Sequence, residues 1–272
     1  MLWDRFFGHA REVELSRRKL LAAIGEPEDL TFVRSWGNMG DALICAGTRQ
    51  LLAGRHYTEI HTNHVAEAAG HTALLTGGGA WCQPYHEWLP GILTTLEERF
   101  ERVIVLPTSF DISVAIVHET LAKTSALVFA REHVSYEQIR HLCHADIAHD
   151  CAFYFDFRPY RHPRQHTRGI LRAYRTDPES RGLPLPDGNN DISHTCESLD
   201  EWLWTIARHE AVETDRAHVM IAAALLGKRV SYRSSNYHKV PAIAEYALQH
   251  FPVYRQPEPG ALERHDRALA AS

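Results

Sequence analysis

Between residues 30 and 157, short apolar β-branched runs alternate with stretches of helical periodicity, and that alternation leaves few folds open. "LTFVRSW" (30–36) reads as a strand and "DALICAGTRQLLAG" (41–54) as a helix. "HTALLTGGG" (71–79) is a strand running into a loop, and "HEWLPGILTTLEERF" (86–100) a helix. "RVIVLPTSF" (102–110) and "SALVFARE" (125–132) are further strands, "SYEQIRHLC" (135–143) is a short helix, and "DIAHDCAFYFDF" (146–157) closes the series. Continuously apolar strands joined by helical crossovers form a parallel sheet with helices on both faces.

The next segment, "DFRPYRHPRQHT" (156–167), is rich in Pro, Arg and His and has no period, as a linker would be. A second α/β series follows: a strand at 169–177, a polar loop at 178–191, and a helix at 199–212 with Ser198 or Asp200 as its cap. A helix from residue 218 and the strand "KRVSYRS" (228–234) complete it. The expected organisation is an N-terminal unit over 1–156, a linker over 157–166 and a C-terminal unit over 167–272 with a tail able to fold back. In open α/β sheets ligands bind beyond the carboxyl ends of the strands, here in a cleft between the units.

Composition narrows the function. A net charge of −5 gives no general attraction to nucleic acid or anionic lipid. The five cysteines form no CxxC pair and read as reduced thiols. Without an apolar leader core or a run long enough to cross a bilayer, the expected location is the cytoplasm, free or peripheral at the inner membrane. Residues 1–24 have the pattern of an amphipathic helix. His141, His144 and His149 are close in sequence, but no second cluster completes a metal site, so no metal is expected.

The chemistry-bearing residues fall at predicted strand ends. In "WGNMGDALI" (36–44), Asn38 and Gly40 form a turn into a helix, and Asp41 suits either a helix cap or a base for a sugar hydroxyl. Gly77, Gly78 and Gly79 are costly to order, which favours a ligand loop over a plain turn. In "FAREHVSYE" (129–137), Arg131 offers a fork for carboxylate or phosphate, and Ser135 is placed as a helix cap. In "ETDRAHVM" (213–220), Thr214 or Asp215 would cap the helix, leaving Arg216 and His218 in its first turn facing an anion. Asn236 and Lys239 follow the next strand beside the same cleft.

Taken in order, "GNMGDALI", "GGGAW", "VLPTS", "AREHVSYE", "HDCAF", "ETDRAHVMIAAALLGKRV" and "SSNYHKV" resemble the polysaccharide pyruvyl transferase family from about residue 32 to 246. The resemblance implies two Rossmann-like domains in a GT-B-like arrangement around an interdomain cleft. It also implies transfer of pyruvate from phosphoenolpyruvate, the donor substrate, to a sugar or oligosaccharide acceptor, lipid-linked or free, as a ketal. No further cofactor is implied. Arg131, Arg216 and His218 would handle the donor, and Asp41 would be functional. His218 is the expected acid or phosphate-stabilising group and Asp41 the expected base, with His86 an alternative. Two positions depart from the family pattern: Val219 and His238 stand where glycine is usual. The competing readings are a GT-B glycosyltransferase using a nucleotide sugar, and a non-catalytic glycan- or anion-binding protein on the same scaffold.

Overall fold

The computed structural model describes residues 2–35, 37–161 and 169–257. In chain order the first part comprises α1 (Leu2–Ile24), β1 (Leu30–Arg34), α2 (Met39–Leu51), β2 (Thr58–His61), β3 (Gly70–Leu75), β4 (Gly78–Trp81), α3 (Trp88–Arg99), β5 (Phe100–Phe110), α4 (Ala115–Lys123), β6 (Leu127–Ala130), α5 (His133–Ile139) and β7 (His144–Ile147). The second comprises β8 (Ile170–Ala173), α6 (Ile192–Thr195), α7 (Leu199–Ala207), β9 (Ala211–Thr214), α8 (Ala217–Leu225), β10 (Arg229–Tyr232), α9 (Lys239–Ala247) and β11 (Val253–Arg255).

Two parallel sheets result. The first runs β2-β1-β3-β5-β6-β7, with β4 pairing alongside β5, and the second runs β11-β10-β9-β8. In β5 every residue from Val103 to Phe110 is buried, as a central parallel strand between helical layers requires. Strand order reverses at β1, whose neighbours are β2 on one side and β3 on the other. The loops leaving β1 and β3 therefore diverge and open a crevice at their carboxyl ends. Those loops carry GNMGD and the glycine triplet.

Helix α2 is shared between cores, which explains its three consecutive apolar residues. Leu43 packs in the cluster of the second sheet with Trp202, Val219 and Ile221. Ile44 and Cys45 belong to a cluster under the first sheet with Phe32 and Leu106. Gly47 lets α2 lie on the turn at Cys151–Tyr154, because a Cβ there would stand 1.9 Å from the Cys151 carbonyl oxygen. Helix α8 is apolar around its whole circumference and correspondingly buried, including Val219, Met220 and Ile221 at 0% exposure. Each such side chain contributes about 1.5–3 kcal/mol of burial.

Several expectations need correction. The glycine triplet is not simply a loop: Gly78–Trp81 pairs with β5 as a short strand. The helix expected over 199–212 stops at Ala207, and 211–214 instead forms β9, flanked by β8 and β10. Apolar Ala211 and Val212 continue the helical period, so periodicity alone hid the strand. Strands β2 and β11 and helices α4 and α9 also went unread. Of the expected linker, Arg158–Tyr160 forms a 3₁₀ turn, with Tyr160 meeting the Trp204 ring edge-on; residues 162–168 lie outside the described residues, as does the tail from 258. Among the described residues no helix is long and apolar enough to cross a membrane.

Candidate functional site

Helices α2 and α8 begin face to face. A Cβ on Gly40 would stand 2.5 Å from His218 Nδ1, so only glycine admits the imidazole at the start of α2. Asn38 is the N-cap of α2: its Oδ1 accepts the Gly40 N–H at 2.8 Å, while Asp41 Oδ2 accepts the Asn38 N–H at 2.9 Å. Asp41 is thus the reciprocal partner in a capping box rather than the cap itself. Between the two helix starts lies a cavity of about 70 Å³, lined by Asn38, Asp41, Gly79, Tyr85, Arg175, Glu179, Ser193, Arg216, Ala217, His218 and Lys239.

One wall is backed by a buried triad. Arg131, at the end of β6, donates through Nε to Ser109 Oγ at 2.8 Å and through Nη1 to Asp150 Oδ2 at 2.8 Å. His218 Nε2 lies 3.3 Å from the same carboxylate oxygen. Burial acts to raise the Asp150 carboxyl, but His218, then Arg131 and the Ala152 amide, hold it well below the usual carboxylate range. Asp150 is therefore ionised and fixes the imidazole's orientation. Gly79 meets this group from the front: a Cβ there would come 2.9 Å from Tyr237 Oη, 3.3 Å from Lys239 Nζ and 3.6 Å from Arg131 Nη2. Gly77 instead serves packing, against the Pro107 carbonyl.

The opposite wall is a lattice of paired charges. Lys239, the first residue of α9, donates to both Glu179 oxygens at 2.7 and 2.9 Å, and Tyr237 Oη donates to Oε1 at 3.1 Å. Arg175 pairs with the same carboxylate and, at 2.9 Å, with Asp177. Burial first, then Arg175 and Arg131, presses the Lys239 ammonium well below its ordinary range. Arg216 grips Asp191 through Nε and Nη2 at 2.5 and 2.6 Å and reaches Asp177 at 2.8 Å. Burial opposes ionisation of Asp177 and Asp191, yet Arg175 and Arg216 hold the first carboxyl low and Arg216 the second.

The helix-start expectations change in detail. The N-cap of α8 is Arg216, with no side-chain cap bond. Thr214 Oγ1 accepts only the Arg216 N–H at 3.0 Å, and Asp215 Oδ1 accepts the Arg175 N–H at 2.8 Å, tying two strand ends together. Ser135 is not a cap either: Glu132 caps α5, and Ser135 Oγ accepts the Phe110 N–H at 2.8 Å. His238 Nε2 stands 3.3 Å from Glu132 and 3.2 Å from Ser135 Oγ, bridging the starts of α5 and α9 where the family usually has glycine. Val219, the other departure, is wholly buried in α8.

Of the residues singled out in the sequence, Asn38, Asp41, Gly79, Arg216, His218 and Lys239 line the cavity, and Arg131 stands behind it. Asn236 is exposed and His86 is half-buried beside Glu87, both outside the lining. His141 and His144 are exposed, apart from buried His149. Sequence reasoning missed Asp150, Arg175, Asp177, Glu179 and Asp191. Asp150 had a signal, since "HDCAF" was one of the ordered motifs. The other four flank or occupy a polar loop without periodicity.

Two parallel sheets, with a cavity lined by polar and charged side chains between the starts of α2 and α8, define an α/β protein. The chain belongs to the polysaccharide pyruvyl transferase family, whose sequence model matches residues 38–234. Among solved structures it resembles an uncharacterized protein of Klebsiella pneumoniae, with a TM-score of 0.75 and 22% identity over 90% of this chain and 99% of that one. At that identity the likeness speaks to fold alone. No curated protein matches in sequence.

Proposed function

We propose that this protein transfers pyruvate from phosphoenolpyruvate to a pair of hydroxyls on a glycan or glycan precursor, forming a ketal. Family membership supports pyruvyl transfer on polysaccharide. The observation that carries the donor reading is the convergence of Arg175, Arg216, His218 and Lys239 with the start of α8 on one small cavity. Glu179 is already a carboxylate seated among Lys239, Arg175 and Tyr237, and the same set matches the donor's carboxylate.

In this reading His218, oriented by Asp150, supplies a proton toward the donor's methylene carbon and leaves a cationic centre at C2. A sugar hydroxyl adds there and gives its proton to Asp41. Phosphate then departs with its electron pair, and a second hydroxyl adds to C2 and closes the ketal. Of the two hydroxyl protons, one replaces that spent on carbon and one leaves with phosphate. Val219 presents no side chain to the cavity and His238 stays outside the lining, so neither departure from the family pattern closes the site.

The test compares thermal stabilisation by phosphoenolpyruvate and by nucleotide sugars. Phosphoenolpyruvate at a hundred times its Kd should stabilise the chain by about 2.7 kcal/mol. Stabilisation by nucleotide sugars alone would overturn the reading in favour of glycosyl transfer. Phosphoenolpyruvate binding without phosphate release on any diol-bearing glycan would favour a binding protein.

A further inference from the structure

One residue before Asp150 the chain turns a second histidine into a separate compartment. His149 is 4% exposed, and neither of its ring nitrogens has a partner among the described residues. His9, on α1, is 6% exposed with Nδ1 likewise unpartnered. Glu12 stands one turn along α1 from His9, and the donor atoms of His9, Glu12 and His149 all lie within 4.8 Å of one another. Among the described residues no other trio of such groups comes together this way. His250, beyond α9, places Nε2 3.9 Å from Glu12 Oε1.

Aromatic packing alone is a poor account of these histidines. The walls are Phe153, Phe251 and Tyr246, with ring centroids 4.7 Å (Phe251) from His9 and 5.0 Å (Tyr246) from His149. Phenylalanine would fill such a place without hiding bare ring nitrogens from water, and buried polar atoms are normally satisfied. Among the described residues no hydrogen bond occupies His9 Nδ1 or either ring nitrogen of His149, so these lone pairs are open to an ion. Neutral imidazole is the form that binds metal. Glu12 and His149 also border an open cavity of about 600 Å³, which gives an ion a way in.

We propose that His9, Glu12 and His149 form a binding site for a divalent transition-metal ion of the zinc type, with water completing the coordination. Two imidazoles and one carboxylate are the donor set that zinc, cobalt and nickel take, and one that calcium and magnesium do not favour. The ion would pin α1 against the end of β7. The His149 N–H already reaches α1 there, donating to Ser16 Oγ at 2.6 Å. The site is independent of the pyruvyl-transfer reading.

The experiment uses the untagged full chain, stripped with chelator and titrated with Zn²⁺ by calorimetry and with Co²⁺ by visible absorption. The expected result is one ion per chain and the intense visible bands of four- or five-coordinate cobalt. Glu12→Gln, exposed and remote from the core, and His9→Gln should each weaken binding at least about tenfold. His141→Gln, exposed and outside the trio, should bind as the parent does. Cobalt that keeps its pale hexaaqua spectrum, or full affinity retained by both Glu12→Gln and His9→Gln, overturns the proposal.

Discussion

The start of α2 consumes its own backbone donors, whereas the start of α8, across the same cavity, has no side chain capping it. At α2 the Asn38 side chain and the Asp41 carboxylate close a capping box, and Asp41 sets a negative charge against the positive end of the helix. At α8 the N-cap residue is Arg216, whose guanidinium is turned onto Asp191 and Asp177. Both helices follow parallel strands, yet one end offers a carboxylate and the other keeps its partial positive charge. In the proposed reading the anionic donor accordingly sits against α8, and the hydroxyl about to lose its proton sits against α2.

The largest effect that could break this division is at His218. His218→Gln should lower phosphate release from phosphoenolpyruvate in the presence of a diol acceptor by about 10²–10⁴-fold, with the far-ultraviolet dichroism unchanged. Asp41→Asn should also lose turnover but keep stabilisation by phosphoenolpyruvate. If Asp41→Asn lost donor binding and His218→Gln kept turnover, the two helix ends would have the opposite roles. Next in size is Arg216→Met, which takes the guanidinium from buried Asp191 while Asp177 keeps Arg175, and should cost about 3–5 kcal/mol in urea unfolding. Asp177 and Asp191 are held below their ordinary values in the fold. Their stabilisation is present above about pH 4 and lost as pH falls further, so the parent should weaken progressively as the pH drops below about 4. Arg216→Met should flatten that acid slope; an equally steep slope in the variant would place the acid sensitivity elsewhere.

How far the site could be read in advance follows from where its residues sit. Residues next to strongly periodic segments were visible: Asn38 and Asp41 after β1 and Arg131 after β6 as strand-end residues, His218 as a residue at the start of an apolar helix. The α/β class followed from the same alternation, and the order of motifs carried the family. Arg216 was visible as a charge but not as a partner, because Asp177 and Asp191 lie 39 and 25 positions away along the chain. Strand β9 was absorbed into a helix because Ala and Val suit both periods over so short a span. Glu179 sits in a proline-rich stretch whose path is set by the cations it meets, and no local pattern encodes that. The lesson of Ser135 is similar: a serine at a helix start is a cap by local rule, yet Glu132 takes that role and frees Ser135 to receive Phe110.

A smaller effect is expected at Gly40, where the two helix starts touch. Gly40→Ala would set a methyl 2.5 Å from His218 Nδ1, and either the ring or the helix must move. Overpacking of this kind costs about 1–3 kcal/mol. The movement should appear as a displacement of the imidazole's ring resonances in nuclear magnetic resonance, since the ring would be pushed relative to Asp150. A variant with unaltered stability and an unaltered histidine resonance would mean that the helix ends are further apart than described.

The smallest change tests the comparison most directly. Asn38→Ala removes the acceptor of the Gly40 N–H and should cost about 1 kcal/mol, the usual worth of an N-cap. Asn38→Asp should restore that stability, because aspartate caps as well as asparagine does. The two variants then separate fold from function. The aspartate would add a third carboxylate to a cavity already lined by Asp41 and Glu179, and stabilisation by phosphoenolpyruvate should fall while the fold recovers. If the aspartate variant instead bound the donor as well as the parent, the anion would lie out of reach of the α2 start, with the whole of its charge answered by α8, Lys239 and Arg175.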